Sequence, residues 1–179
     1  PVQRLLEPRD YINALELGVA MILLVVGIIV RPLPIVAPAV VSSPAGAPSM
    51  FPFLFITIAC GAISGFHSLV SSGTSSKQID KEPSALAVGY GGMLLEAALA
   101  TLVIIAVTTG VSKEAWLTTY ANYAKVPTLP TFAEGGARIV ETLGISRAMA
   151  LNILAVFMVS FASTTIDTAT RLQRYVISE

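Results

Sequence analysis

Apolar positions along this chain gather into four long blocks, separated by connections that are polar or rich in proline and glycine. A helix needs about 20 residues to cross a hydrocarbon core of roughly 30 Å, and the blocks near 11–30, 51–70, 89–110 and 149–170 reach that length. The first, YINALELGVAMILLVVGIIV, follows Asp10 as a prospective N-cap and is stopped by Arg31-Pro32. Glu16, about one and a half turns in, can snorkel or pair near the interface. Prolines at 32, 34, 38, 44 and 48 forbid a continuous helix between the first two blocks and favour extended backbone. After the second block, SSGTSSKQIDKEPSALAV holds Gly73 and Pro83 and predicts turns with one short helix.

The second block, FPFLFITIACGAISGFHSLVSS, carries Gly61 and Gly65 at its centre and the chain's single histidine, His67, just beyond. Lipid offers no partner to backbone N–H and C=O groups, so an interrupted helix at membrane depth must be buried in protein or line a polar cavity. Transporter sites are often built from such discontinuous helices. Gly61, Ser64, Gly65 and His67 are therefore candidate substrate contacts. The N–H groups of a restarted half-helix would receive a substrate carboxylate, and His67 could carry a coupling proton. The same spacing is also GxxxG, which brings helices together without any break, and a lone histidine is often a satisfied packing residue; both readings stand.

Within 111–148, Trp116, Tyr120 and Tyr123 recur at helical spacing, and Thr131 and Glu134 have capping-box spacing ahead of a helix ending near Gly144. Two short surface helices are expected there, with Ser146 capping the last span. On that span Ser160, Ser163, Thr164, Asp167, Thr168 and Arg171 share one helical face. Such a stripe should face protein, water or an ion. Ser163, Thr164 and Asp167 are candidate ligands for a hard cation, against the reading that hydroxyls bond their own helix and that Asp167 pairs with Arg171 or Arg174. Glu96, about 10 Å into the third block, is a candidate coupling residue, because a carboxylate at that depth must be protonated or paired. Glycines 89, 91 and 92 fit close helix approach better than phosphate binding.

Composition settles the class. Apolar residues are 54% and charged residues 12% of the chain, with mean hydropathy +0.76, so the expected fold is an all-α, multi-pass membrane bundle. Net charge is zero, with no like-charge run, which excludes an electrostatic case for nucleic acid. Cys60 is single and sits in an apolar run. No zinc spacing, nucleophile elbow or carboxylate dyad supports an enzyme or a resident cofactor. Arg4, Arg9, Lys77, Lys81, Arg171 and Arg174 fall in shorter segments than Arg31, Lys113, Lys125, Arg138 and Arg147, a weak bias toward an inside start. The chain opens with Pro1 and stops at Glu179 in helix-like sequence, so the remainder of a longer polypeptide is an expected partner, beside the lipid bilayer.

The strings EPRDYINA, FPFLFITIACGAISGFHSLVSSGTSSKQI, GYGGMLLEAALA and STTIDTATRLQRYVISE together resemble the carbon starvation protein A family. That resemblance implies an inner-membrane transporter for peptides or small carboxylates such as pyruvate, coupled to protons or sodium. It also implies the inverted-repeat fold of the amino acid–polyamine–organocation superfamily. On that placement the four blocks look like helices five to eight, 51–70 is the discontinuous sixth, and Ser163 and Thr164 sit where sodium-coupled relatives hold an ion. The alternative is a non-transporting membrane protein, a nutrient sensor or assembly subunit, whose polar residues only join helices.

Overall fold

The structure, a computed structural model, describes residues 3–41, 45–62 and 65–178, with side chains described from Pro8 onward except at 42–44, 60–66, 175, 176 and 178. Among the described residues all regular secondary structure is helical. In order they form α1 (Gln3–Val30), α2 (Met50–Ala62) and α3 (Gly65–Val70); α3 runs on through a π-helical turn at Ser71–Ser75 into α4 (Ser76–Gln78). Then come α5 (Glu82–Thr109), α6 (Lys113–Thr119), α7 (Thr128–Glu141) and α8 (Arg147–Ser178). Among the described residues three helical stretches are long and apolar enough to cross a membrane: Pro8–Val30, Glu82–Thr109 and Arg147–Arg174. Met50–Ala59 is apolar but shorter. The expected span at 51–70, and its interruption, run through Ile63 and Ser64, which lie outside the described residues.

Several boundaries differ from the sequence expectation, each for a local reason. Helix α1 begins upstream of Pro8, so Asp10 lies inside the helix and its carboxylate is turned to another element instead of a cap. Pro83 sits in the first turn of α5, where a missing N–H costs nothing, so the third span starts at Glu82 instead of near 89. Glu96 thus lies about 21 Å along that helix, near its middle. Thr131 is inside α7, its hydroxyl donating to the Pro127 carbonyl at 2.7 Å, and no capping box forms with Glu134. The serine-rich stretch after Val70 stays helical: Ser72, Thr74 and Ser76 hydroxyls each donate to the carbonyl four residues back, covering backbone acceptors as the turn widens.

The core is built around α7. Its Phe132, Ala137, Ile139 and Val140 pack with Ala20 and Leu24 of α1, Leu102 and Ala106 of α5, and Ala150, Leu154 and Phe157 of α8. Three helices can converge on α7 because glycine lies at the crossings. A Cβ on Gly135 would overlap the Ala106 carbonyl of α5, one on Gly110 would overlap the Gly135 backbone, and one on Gly27 would stand 2.7 Å from an Ile139 methyl. Backbones this close bring many small dispersion contacts together. Gly89, Gly91 and Gly92 have open space around them, and the first half of α5 is almost wholly exposed. The proline-rich loop is tied down at two points. The Val36 N–H donates to the Thr108 carbonyl at 2.9 Å, and the Tyr123 N–H donates to the Ala45 carbonyl.

Candidate functional site

The second half of α8 leaves α7 and lies along α1, and the polar stripe expected on α8 is what meets it. Arg9 of α1 donates to the Asp167 carboxylate. Asn13 Nδ2 donates to Thr164 Oγ1 and, at 3.5 Å, to the Ser160 carbonyl. Arg171 reaches Asp10 Oδ2 at 3.4 Å. Each helix contributes one cation and one anion, so the two ion pairs are crossed: α1 supplies Arg9 and Asp10, α8 supplies Asp167 and Arg171. Among the described residues Asp167 therefore pairs across to α1, and no pair joins it to Arg171 or Arg174 of its own helix.

Against this seam the end of α3 closes a cavity of about 320 Å³. Its polar lining comes from Asp10 and Asn13 on α1, His67 on α3, and Thr164, Thr165 and Thr168 on α8; Leu17, Val70, Phe157 and Phe161 make most of the remainder. The π-helical turn anchors the third wall. Thr74 is buried there, and Gly73 comes close enough to α8 that a Cβ would stand 3.1 Å from Leu172. Two oxygens along α1 have no partner among the described residues although they are buried, Asp10 Oδ1 and Glu16 Oε2.

The structure brings His67 and Thr164 to one cavity and sets Asp167 beside it. Ser163 is half-buried next to the seam. Glu96 is exposed on α5 and lines neither cavity. Gly61 ends in α2 and Gly65 opens α3, while Ser64 lies outside the described residues. Among the described residues no three His, Cys, Asp or Glu side chains converge on a metal position. Asp10 and Asn13 are the contributors that sequence reasoning missed. The signal was available: Asp10 and Asn13 stand three residues apart, a polar edge facing one way at the start of an apolar helix.

A second cavity, about 530 Å³, lies at the opposite end of α8, between α5, α6 and α7, and includes Ser112, Glu134, Arg138 and Arg147. Arg147 pairs there with Glu134 at 2.5 Å. Trp116 stacks on Tyr120 at 4.8 Å between ring centres, and burial raises the Tyr120 phenol above the usual tyrosine range, so that group stays uncharged near neutrality.

The profile of the family described as Carbon starvation protein CstA matches residues 1–117. A peptide transporter CstA of Helicobacter pylori is 49% identical over 110 residues, covering 59% of this chain and 16% of the relative. A pyruvate/proton symporter BtsT of Escherichia coli is 44% identical over 112 residues, with the same 59% and 16% coverage. A peptide transporter CstA of Bacillus subtilis is 32% identical across the whole chain and 35% of its own length. The chain thus spans between about a sixth and a third of the length of these relatives. No solved structure matches. The family match takes in α1, α2, α3 and α5, the whole-chain match adds α7 and α8, and the membrane-length helices fit the transporters so matched: the chain belongs to the carbon starvation protein CstA family.

Proposed function

We propose that this chain forms part of a secondary transporter that takes up peptides or small carboxylates such as pyruvate, driven by a proton or sodium gradient. The observation that carries the reading is the cavity between α1, α3 and α8, where a carboxylate, an amide, a histidine and three threonine hydroxyls meet an otherwise apolar wall. Small-molecule sites have this make-up and this order of volume. The names of the relatives support the solute classes.

In this reading His67 and Thr164 contact the solute, and the substrate contacts expected from the sequence at Gly61, Ser64 and Gly65 belong to the same discontinuous segment as His67. Ser163 and Asp167 adjoin the coupling path. The inverted-repeat arrangement, with α2 and α3 as halves of one discontinuous helix and α6 and α7 as an external helical connection, is the fold we propose for the longer protein. Glu96 has a separate role. It lies mid-helix on a face of α5 that no other described element covers, and a carboxylate at membrane depth is costly unless it is protonated or paired. We propose that it meets the rest of the polypeptide there and titrates during coupling.

The test is uptake by the full-length protein in vesicles, with alanyl-alanine and pyruvate offered separately under an imposed proton or sodium gradient. Accumulation of either solute above its external concentration is expected. Failure of correctly folded protein to move both would overturn the reading. Glu96→Gln keeps the shape and removes the titration; it should slow gradient-driven uptake by about tenfold or more while leaving solute exchange. Unchanged rate and pH dependence would make Glu96 structural.

A further inference from the structure

Resting on the transport reading, the chemistry of the cavity wall narrows the solute. Thr164, Thr165 and Thr168 each donate their hydroxyl hydrogen to a carbonyl of α8, those of Ser160, Phe161 and Thr164. With those hydrogens engaged, the hydroxyl oxygens of these lining residues can only accept. Asn13 gives its amide hydrogens to Thr164 Oγ1 and the Ser160 carbonyl, which leaves its Oδ1 as an acceptor. Asp10 adds a carboxylate whose Oδ2 is held by Arg171 only at 3.4 Å, near the outer limit of a useful hydrogen bond, and whose Oδ1 has no partner among the described residues. Arg9 and Arg171 belong to the seam and do not line the cavity. Among the described residues, and apart from His67, the polar wall accepts hydrogen bonds and offers none.

We infer that Asp10, flanked by Asn13 and Thr168, binds the α-ammonium group of a peptide, so that this cavity selects amine-bearing solutes over pyruvate. An ammonium brings three donors and a positive charge to a wall of acceptors. Asp10 lines the cavity and is held only by the long contact from Arg171 to Oδ2, so its carboxylate keeps acceptor capacity for a cation. Pyruvate brings only acceptors and a negative charge, and would meet Asp10 with like-charge repulsion. The apolar part of the lining, Leu17, Val70, Phe157 and Phe161, leaves room for peptide side chains, far more than a bare ion would need. Asp10 is thus a specificity-determining residue contributed by the helix whose sequence had offered it as a cap.

The test uses the full-length protein in vesicles with alanyl-alanine, N-acetyl-alanyl-alanine and pyruvate as competing solutes. Alanyl-alanine should be taken up, and blocking its amine should raise the half-saturating concentration by about tenfold or more, because a site built for a donor is left unpaired by an analogue lacking it. Asp10→Asn should produce a similar loss for alanyl-alanine and erase the discrimination. Uptake of pyruvate or the acetylated peptide as readily as alanyl-alanine would overturn the ammonium site while leaving the transport reading intact. Uptake of none of the three by folded protein would overturn both. Should Asp10→Asn fail to fold, the comparison of blocked and free peptide on the unaltered protein decides alone. Loss of sodium dependence in Asp10→Asn, with amine discrimination retained, would assign the carboxylate to a cation and overturn the inference.

Discussion

Gly135→Val, introduced into the full-length protein, is expected to cost about 3 kcal/mol or more of packing energy and to leave little monodisperse protein after detergent extraction. The argument is geometric. A Cβ at Gly135 would overlap the carbonyl of Ala106, and no rotamer of that neighbour can move a backbone oxygen aside. Helices α5 and α7 would have to separate. Because α7 also holds Leu24 of α1 and Leu154 of α8, the shift would loosen every contact of the core. The control is Gly89→Ala or Gly91→Ala, in helix with open space around each, where alanine should be neutral or stabilise by up to about 1 kcal/mol. Thermal unfolding followed by size exclusion measures both. Wild-type melting of Gly135→Val would show that close backbone approach at α7 is not what holds these helices together.

Reversal of the Arg9–Asp167 pair should separate a structural role from a coupling role for Asp167. Asp167→Arg alone would place three guanidinium groups against the single carboxylate of Asp10, at an expected cost of about 2 kcal/mol. That is less than a fully buried pair would lose, because the Arg9 and Asp167 side chains keep 38% and 22% exposure. Combining it with Arg9→Asp restores opposite charges in the reverse sense, and most of the lost yield should return. If the pair only locks α1 to α8, gradient-driven uptake returns with it. A double variant that folds at wild-type yield and does not transport would give Asp167 the coupling role instead.

The α8 polar stripe was legible because its residues recur at helical spacing on a single element, so that their shared face needs no knowledge of any partner. What the stripe faces was not legible. Hydroxyls and a carboxylate in an apolar helix satisfy the same pattern whether they meet an ion, water or another helix, and here Arg9 and Asn13 of α1 answer Asp167 and Thr164. Asp10 illustrates the converse. Its position before an apolar run reads locally as a cap, yet α1 starts earlier and the carboxylate is turned toward Arg171 and the cavity. The segment 128–141 is strongly amphipathic, and an apolar helical face has one sequence pattern for a headgroup layer and for a three-helix junction.

By itself the sequence determined the class of molecule and the family, because transfer of a helical segment into lipid depends on the residues of that segment alone and family strings are read in order along the chain. Of the four membrane-length helices it led us to expect, three stand among the described residues, while the one at 51–70 runs through residues outside them. The tertiary structure decided everything that depends on pairs. It placed α7 at the centre, through glycines whose use appears only when two backbones meet. It also crossed the ion pairs of α1 and α8 and joined His67 to Thr164 across a cavity. These contacts join residues far apart in sequence, and their free energy depends on distance and orientation that no single segment encodes.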